Sequence, residues 1–132
     1  MKPSIKLTVT GRQSQEYGLH VELTNTSLAP LTLYRHSLPW VGPYSMILVA
    51  VKTDAQGTVL ESESIIDDPG ADTVTVQPGE TLSGIIPLGS RFPGFSRSVN
   101  ERDIIVFWTY QLRPIDRSPL ERAGGYVLFP KS

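Results

Sequence analysis

The feature that most constrains this sequence is the run 103–112, the most apolar and aromatic stretch in the chain. Its β-branched and aromatic side chains suit a pleated strand. Successive residues of a strand point to opposite faces, so Ile104, Val106 and Trp108 share one face while Ile105 and Phe107 share the other. Because both faces are apolar in its first half, we predict a central β-strand that is covered there on both sides.

Turn-forming residues divide the rest of the chain into short segments, as in an all-β protein. The 132 residues include 11 glycines and 11 prolines, which lie between short β-prone runs and mark turns. No stretch shows a convincing helical periodicity. We therefore predict one domain over residues 1–132, an all-β antiparallel sandwich of about eight or nine short strands.

Individual strands can be placed from alternation. Apolar residues alternate with polar ones over 5–10 and 19–24, and the second of these strands ends in Asn25-Thr26-Ser27, whose short side chains bond local backbone and turn the chain. A further apolar run at 46–51 predicts a strand covered on both faces or nearly so, paired in a hairpin with 58–62. We predict a long irregular connection over the segment 90–100.

Two motifs carry a resemblance to a known fold. The pattern hydrophobic-x-hydrophobic-x-Asn-x-Ser in 20–33 and the Pro-Gly-Glu turn in 76–84 resemble those of small bacterial immunoglobulin-like or fibronectin-III-like domains. The resemblance implies an immunoglobulin-like antiparallel sandwich. Within it, Phe107 takes the place of the tyrosine-corner residue and Thr109 that of a cysteine, so neither the corner hydrogen bond nor the inter-sheet disulfide is expected.

The charge and composition of the chain indicate where the protein is located and which kinds of partner it can bind. The net charge is −1, from 12 basic and 13 acidic residues spread along the chain, and this disfavours nucleic acid and anionic lipid as partners. No run approaches the roughly 20 apolar residues of a membrane helix, and the N-terminus lacks the apolar segment of a signal peptide. We therefore predict a cytoplasmic protein with no membrane partner. The absence of cysteine excludes disulfides, thiolate metal sites and a cysteine nucleophile.

No residue pattern predicts catalysis. His20 and His36 are the only histidines, and no third ligand accompanies them at metal spacing. The serines lack a nucleophile-elbow motif. Glu61 and Glu63 share the spacing of a glycosidase pair, but residues two apart on any strand have that spacing, and we favour a solvated strand face. We predict no enzyme activity, no catalytic residue and no cofactor.

The acidic segment 67–72 contains residue types that bind calcium ions. Asp67, Asp68 and Asp72 could offer oxygen ligands to Ca²⁺, but their spacing is not that of an EF-hand loop. Asp-Pro-Gly is an ordinary turn signal, and we favour the turn. No metal site is predicted.

Two segments that we predict to be loops, 36–45 and 90–100, concentrate residue types that are common at interface hot spots. Loops often carry function, so we predict a partner-binding site formed by both segments. Its residues are Trp40, Tyr44, Arg91, Phe92, Phe95 and Arg97. The alternative is that these aromatic side chains fold back and plug the ends of the sandwich.

The sequence leaves three functions open. We expect a non-enzymatic module that binds another protein through these segments, similar to a bacterial inhibitor or immunity-type protein. A second hypothesis is a structural or assembly subunit that self-associates through a sheet face or strand edge, which leaves a homo-oligomer open. A third is a carbohydrate-binding module with Trp40 and Tyr44 as its platform.

Overall fold

The computed structural model describes residues 3–13, 16–41, 45–63 and 70–132. In these ranges the chain is mostly β-strand, which confirms the all-β prediction. The strands are β1 (Ile5–Arg12), β2 (Gly18–Asn25), β3 (Leu31–Tyr34), β4 (Met46–Lys52), β5 (Thr73–Val76), β6 (Thr81–Pro87), β7 (Ile104–Tyr110) and β8 (Ala123–Phe129). A 3₁₀-helix spans Arg35–Ser37, and two short helices are α1 (Leu88–Arg91) and α2 (Phe95–Glu101).

The described strands form three antiparallel sheets. One has the order β1–β2–β6, the second pairs β3 with β5, and the third has the order β4–β7–β8. The strand predicted to be central is indeed flanked on both sides, because β7 pairs with β4 along one edge and with β8 along the other. The immunoglobulin-like arrangement of these sheets stays a prediction.

One hydrophobic core is shared by the sheets. Leu19, Val21 and Leu23 of β2 are fully buried, and so are Ile104 and Val106 of β7. The backbone of β1 at Gly11 touches side chains of β8, so the sheet β1–β2–β6 and the sheet β4–β7–β8 meet along this side. Each sheet therefore has one face on the core and one face turned away from it.

The polar turn after β2 is tied into this core by a buried asparagine. The Asn25 Nδ2 donates to the carbonyl oxygens of Ala29 and Val76, each at 2.9 Å. Its Oδ1 accepts from the backbone nitrogen of Ser27 at 3.0 Å and from the Ser27 hydroxyl at 2.6 Å. The predicted local turn is confirmed, and the same side chain also joins the end of β2 to β5, which the sequence did not indicate.

One sequence-based prediction is wrong and another holds in part. The predicted irregular segment 90–100 is largely helical, because Phe92, Phe95 and Val99 recur at spacings of three and four and bury one side of the chain. The predicted hairpin pairs 58–60 with β4 through the bridge of Val59 to Val51 and two flanking backbone hydrogen bonds, but 58–62 forms no full strand. None of the helices in the described ranges has both the length and the hydropathy needed to cross a membrane.

Candidate interaction surface

The aromatic residues predicted to bind a partner are mostly turned inward. Phe92 and Phe95 are 1% and 0% exposed, and the Phe95 ring lies 5.3 Å from the rings of both Tyr17 and Phe129. This corrects their placement as surface anchors, since burial in the core leaves them no face to offer. Trp40 is half-buried on the inner side of β6. Tyr44 lies outside the described residues.

The two predicted arginines lie on the short helices. Arg91 ends α1 and is half-buried, while Arg97 is exposed on α2. Arg97 lines a groove with residues of 58–63, and Trp40 is not among the residues that line it. Of the predicted residues, the structure brings Phe92 and Phe95 together in the core, and it does not join Trp40 and Arg97 in that groove.

The residues considered for chemistry are also dispersed. His36 stacks on Tyr34, with ring centroids 5.4 Å apart and planes 7° apart. His20 lies between Thr10 and Ile85 in the sheet β1–β2–β6. Asp67 and Asp68 fall outside the described residues. Among the residues that the structure describes, no group of three or more histidines, aspartates and glutamates could hold a metal ion.

A different surface stands out, the side of the sheet β4–β7–β8 that faces away from the core. We call it the apolar face. Every large side chain that points outward along the middle of this sheet is apolar. Its members are Ile47, Val49, Val51, Val59, Ile105, Phe107, Tyr126 and Leu128.

The strand register arranges these side chains in rows across the sheet. Phe107 pairs with Val49 on one side and with Tyr126 on the other, and the Phe107 and Tyr126 rings are 6.3 Å apart. Directly opposite residues of antiparallel strands lie side by side on one face, so each row is continuous. Phe107 is 45% exposed and Tyr126 is 69% exposed. The rows therefore present contiguous apolar surface.

A second row lies next to the first. Ile105 pairs with Val51 and with Leu128, and Val51 is bridged in turn to Val59. Val59 and Leu128 at the two ends of this row are exposed, while Val51 and Ile105 between them are half-buried. The apolar face thus extends from the edge beyond β4 to the edge strand β8.

The outer face of the sheet β1–β2–β6 provides a comparison within the same molecule. Its rows, read from the strand register, are Lys6–Thr24–Thr81, Thr8–Glu22–Ser83 and Thr10–His20–Ile85. Only Ile85 in these rows is a large apolar residue. An antiparallel sheet with one solvated face normally shows this alternation of apolar inside and polar outside. The face of β4–β7–β8 departs from the rule that the other sheet obeys.

Charged groups lie at the two ends of the apolar face. Asp103 precedes β7, and its Oδ1 accepts a hydrogen bond from the backbone nitrogen of Lys131 at 2.6 Å. At the other end, the Arg122 guanidinium donates to Thr109 Oγ1 at 3.3 Å and to Gln111 Oε1 at 3.4 Å. Arg113 donates to the same Gln111 oxygen at 3.1 Å. The face therefore runs from an acidic end through an apolar middle to a basic end.

These end charges are not neutralised by their own chain where it is described. The ion pairs found there join Lys52 to Glu101 and Arg117 to Asp116, so neither Arg113 nor Arg122 is bound to a carboxylate. Both arginines are exposed and donate to neutral oxygens. Their charge is available to an acidic group outside the chain.

This surface was not predicted from the sequence. The continuous apolar runs of β4 and β7 were the available signal, and they predict strands covered on both faces. That prediction is wrong for Phe107 and for Val49, which is 41% exposed. In the described chain both faces of these strands are apolar, but only one is buried.

The chain matches no protein-family model and no curated protein sequence. The apolar face is accordingly interpreted from its own geometry and chemistry.

Proposed function

We propose that this protein is a non-catalytic docking module that binds protein through the apolar face of β4–β7–β8. The observation that carries the proposal is the contrast between the two outer faces, one covered with threonine, serine and charged residues, the other with large apolar side chains. Contiguous exposed apolar patches with a polar rim are typical of interaction sites.

The composition of the face also suits a protein partner. Phe107 and Tyr126 are aromatic side chains of the kind that dominate interface energetics, and they lie beside each other near the middle of the face. The polar and charged groups, Thr109, Gln111 and Arg122 at one end and Asp103 at the other, stand at the rim. An apolar centre inside a polar rim is the usual anatomy of an interface.

The proposal keeps the protein-binding function expected from the sequence and assigns it to another surface. Burial of Phe92 and Phe95 removes two of the aromatic anchors of the predicted loop site. The inhibitor or immunity-type role, the cytoplasmic location and the carbohydrate-binding alternative stay predictions. The self-association hypothesis named a sheet face as the binding surface. The contrast between the outer faces of the two sheets favours a sheet face as the binding surface.

Site-specific photo-crosslinking tests the proposal. A benzophenone amino acid replaces Phe107, and in a matched control it replaces Ser83, which is exposed on the outer face of the other sheet. After irradiation in cells that produce the protein, we expect discrete crosslinked species from position 107 and none from position 83. No crosslink at position 107, or the same species from both positions, would overturn the proposed function.

A further inference from the structure

We infer that the apolar face binds a second copy of this chain, forming a symmetric dimer about a two-fold axis that lies in the plane of the face, perpendicular to β7 and close to Phe107. This inference rests on the proposed function, because it identifies the occupant of the same face. The symmetry follows from where the charges lie.

The charge layout is complementary to itself in one orientation. Asp103 and Gln111 lie four positions before and after Phe107, and Arg113 and Arg122 gather at Gln111. Four residues of a strand span roughly 14 Å. A two-fold axis at Phe107 and perpendicular to the strand therefore brings the Asp103 end of each copy over the Arg122 end of the other.

The other symmetric orientation is disfavoured by the same charges. An axis parallel to β7 would place Asp103 over Asp103 and gather the Arg122 side chains of both copies at the other end, and like charges brought together at an interface suppress association. The perpendicular axis gives two Asp103–Arg122 pairs instead. It also stacks the apolar middle of one copy on that of the other, with the strands of the two sheets close to antiparallel, as in aligned sheet packing.

The size of the face indicates the strength of the dimer. Three strands at about 4.8 Å spacing, each of seven residues at about 3.4 Å rise, cover a footprint of roughly 340 Å². A standard stable interface buries about 800 Å² on each partner. The rim charges add to this footprint without closing the gap. We therefore expect a weak dimer that dissociates reversibly on dilution.

Sedimentation velocity over protein concentrations from about 1 μM to 1 mM measures this equilibrium. The wild type should pass from monomer to dimer in this range. Phe107→Arg places a charge at the centre of the face and should weaken the dimer at least 10-fold. Ser83→Arg, on the opposite outer face, should leave it unchanged.

Mixing two charge variants tests the symmetry itself. Asp103→Arg leaves both ends of the face basic, and Arg122→Asp leaves an aspartate at each end, beside Arg113 at one of them, so each variant should dimerise at least 10-fold more weakly than the wild type. Mixed together, they should form a heterodimer close to wild-type affinity, because one Asp103–Arg122 pair is kept and the other is restored with its charges exchanged. Glu22→Arg and Lys6→Asp change the net charge equally on the other sheet, and their mixture should behave like the wild type.

Each outcome decides the inference. A wild type that stays monomeric to 1 mM overturns the second copy as occupant, and a crosslink from position 107 to a different protein would then leave the proposed function standing. A dimer unaffected by Phe107→Arg, or a mixture without recovery, overturns the face or its symmetry. If Asp103→Arg fails to fold, Asp103→Asn keeps an oxygen for Lys131 and should still weaken the dimer.

Discussion

The indole ring of Trp40 lies flat against the backbone of Gly84, so closely that a Cβ atom at position 84 would overlap the Cγ, Cδ1 and Cδ2 atoms of the ring. Gly84 pairs with Val21 and faces the core side of its sheet. Trp40 therefore covers the inner side of β6 at its edge, and the glycine is required by the ring.

Gly84→Ala should accordingly destabilise the protein by about 1–3 kcal/mol, the usual cost of overpacking. Chemical denaturation measures the loss, and tryptophan fluorescence should report a shift in the environment of Trp40. Gly89→Ala is a matched control, because nothing lies within 4 Å of the added methyl group. An equal loss for both variants would contradict the steric explanation.

Asn25→Ala should cost about 3 kcal/mol or more, because it removes the partner of several buried polar groups at once. The carbonyl oxygens of Ala29 and Val76 lose the hydrogen bond from Asn25 Nδ2, and the backbone nitrogen and hydroxyl of Ser27 lose the one to Asn25 Oδ1, leaving the Ser27 hydroxyl bonded only to Ala29. Urea denaturation gives the change in the free energy of unfolding. Thr26→Ala, in the same turn, should change it by no more than about 0.5 kcal/mol, since its hydroxyl is exposed. Similar costs for the two variants would show that Asn25 is not the link between β2 and β5.

Tyr110 should make the folding stability of the protein sensitive to alkaline pH. Its hydroxyl donates to the carbonyl oxygen of Ser37 at 2.6 Å, and burial raises the pKa of the phenol well above its usual value. Because the pKa is higher in the folded state, the stability contributed by the neutral phenol is complete below the unfolded value of about 10 and declines as pH rises above it.

Tyr110→Phe tests this contribution. The variant loses one buried hydrogen bond and should be less stable at pH 8, by about 1–2 kcal/mol. Between pH 9 and pH 11 its stability should fall less steeply than that of the wild type, because one buried phenol no longer titrates. Parallel slopes in denaturation experiments at these pH values would rule out Tyr110 as the group responsible.

The Lys52–Glu101 pair joins β4 to α2 at the protein surface. The hydrogen bond from Lys52 and then its charge lower the pKa of Glu101, and Arg97 contributes least. A carboxyl group whose pKa is lowered by folding adds stability above its unfolded value, and this is lost as pH falls through the folded pKa.

Carboxyl carbon NMR titration can check the ranking. Lys52→Gln should return the pKa of Glu101 toward its ordinary value, whereas Arg97→Gln should move it less in the same direction. A larger upward change in Arg97→Gln would reverse the assignment.

Local pattern was enough to predict the fold class and its clearest strands. The alternation of Leu19, Val21 and Leu23 predicted β2, and the apolar run at 103–112 predicted the strand that proves to lie between two neighbours. The Asn25–Ser27 turn was also predictable, because its hydrogen bonds span two residues. Such features depend on side chains that are close in sequence, and so a single sequence contains them.

The helical segment after β6 was harder to predict. Phe92, Phe95 and Val99 have helical spacing, but Pro93 and Gly94 interrupt the run and divide it into two pieces shorter than ordinary helices. The helices form because their apolar residues are buried in the core. Tertiary packing here overrides the local turn signals.

The sequence by itself determined the clearest strands, β2 and β7 among them, and that β4 and β7 are apolar on both faces. Only the tertiary structure decided that β3 pairs with the distant β5, and that one face of β4–β7–β8 is left exposed. The physical reason is that periodicity records the hydrophobicity of each face, whereas burial depends on which other elements of the chain pack against that face.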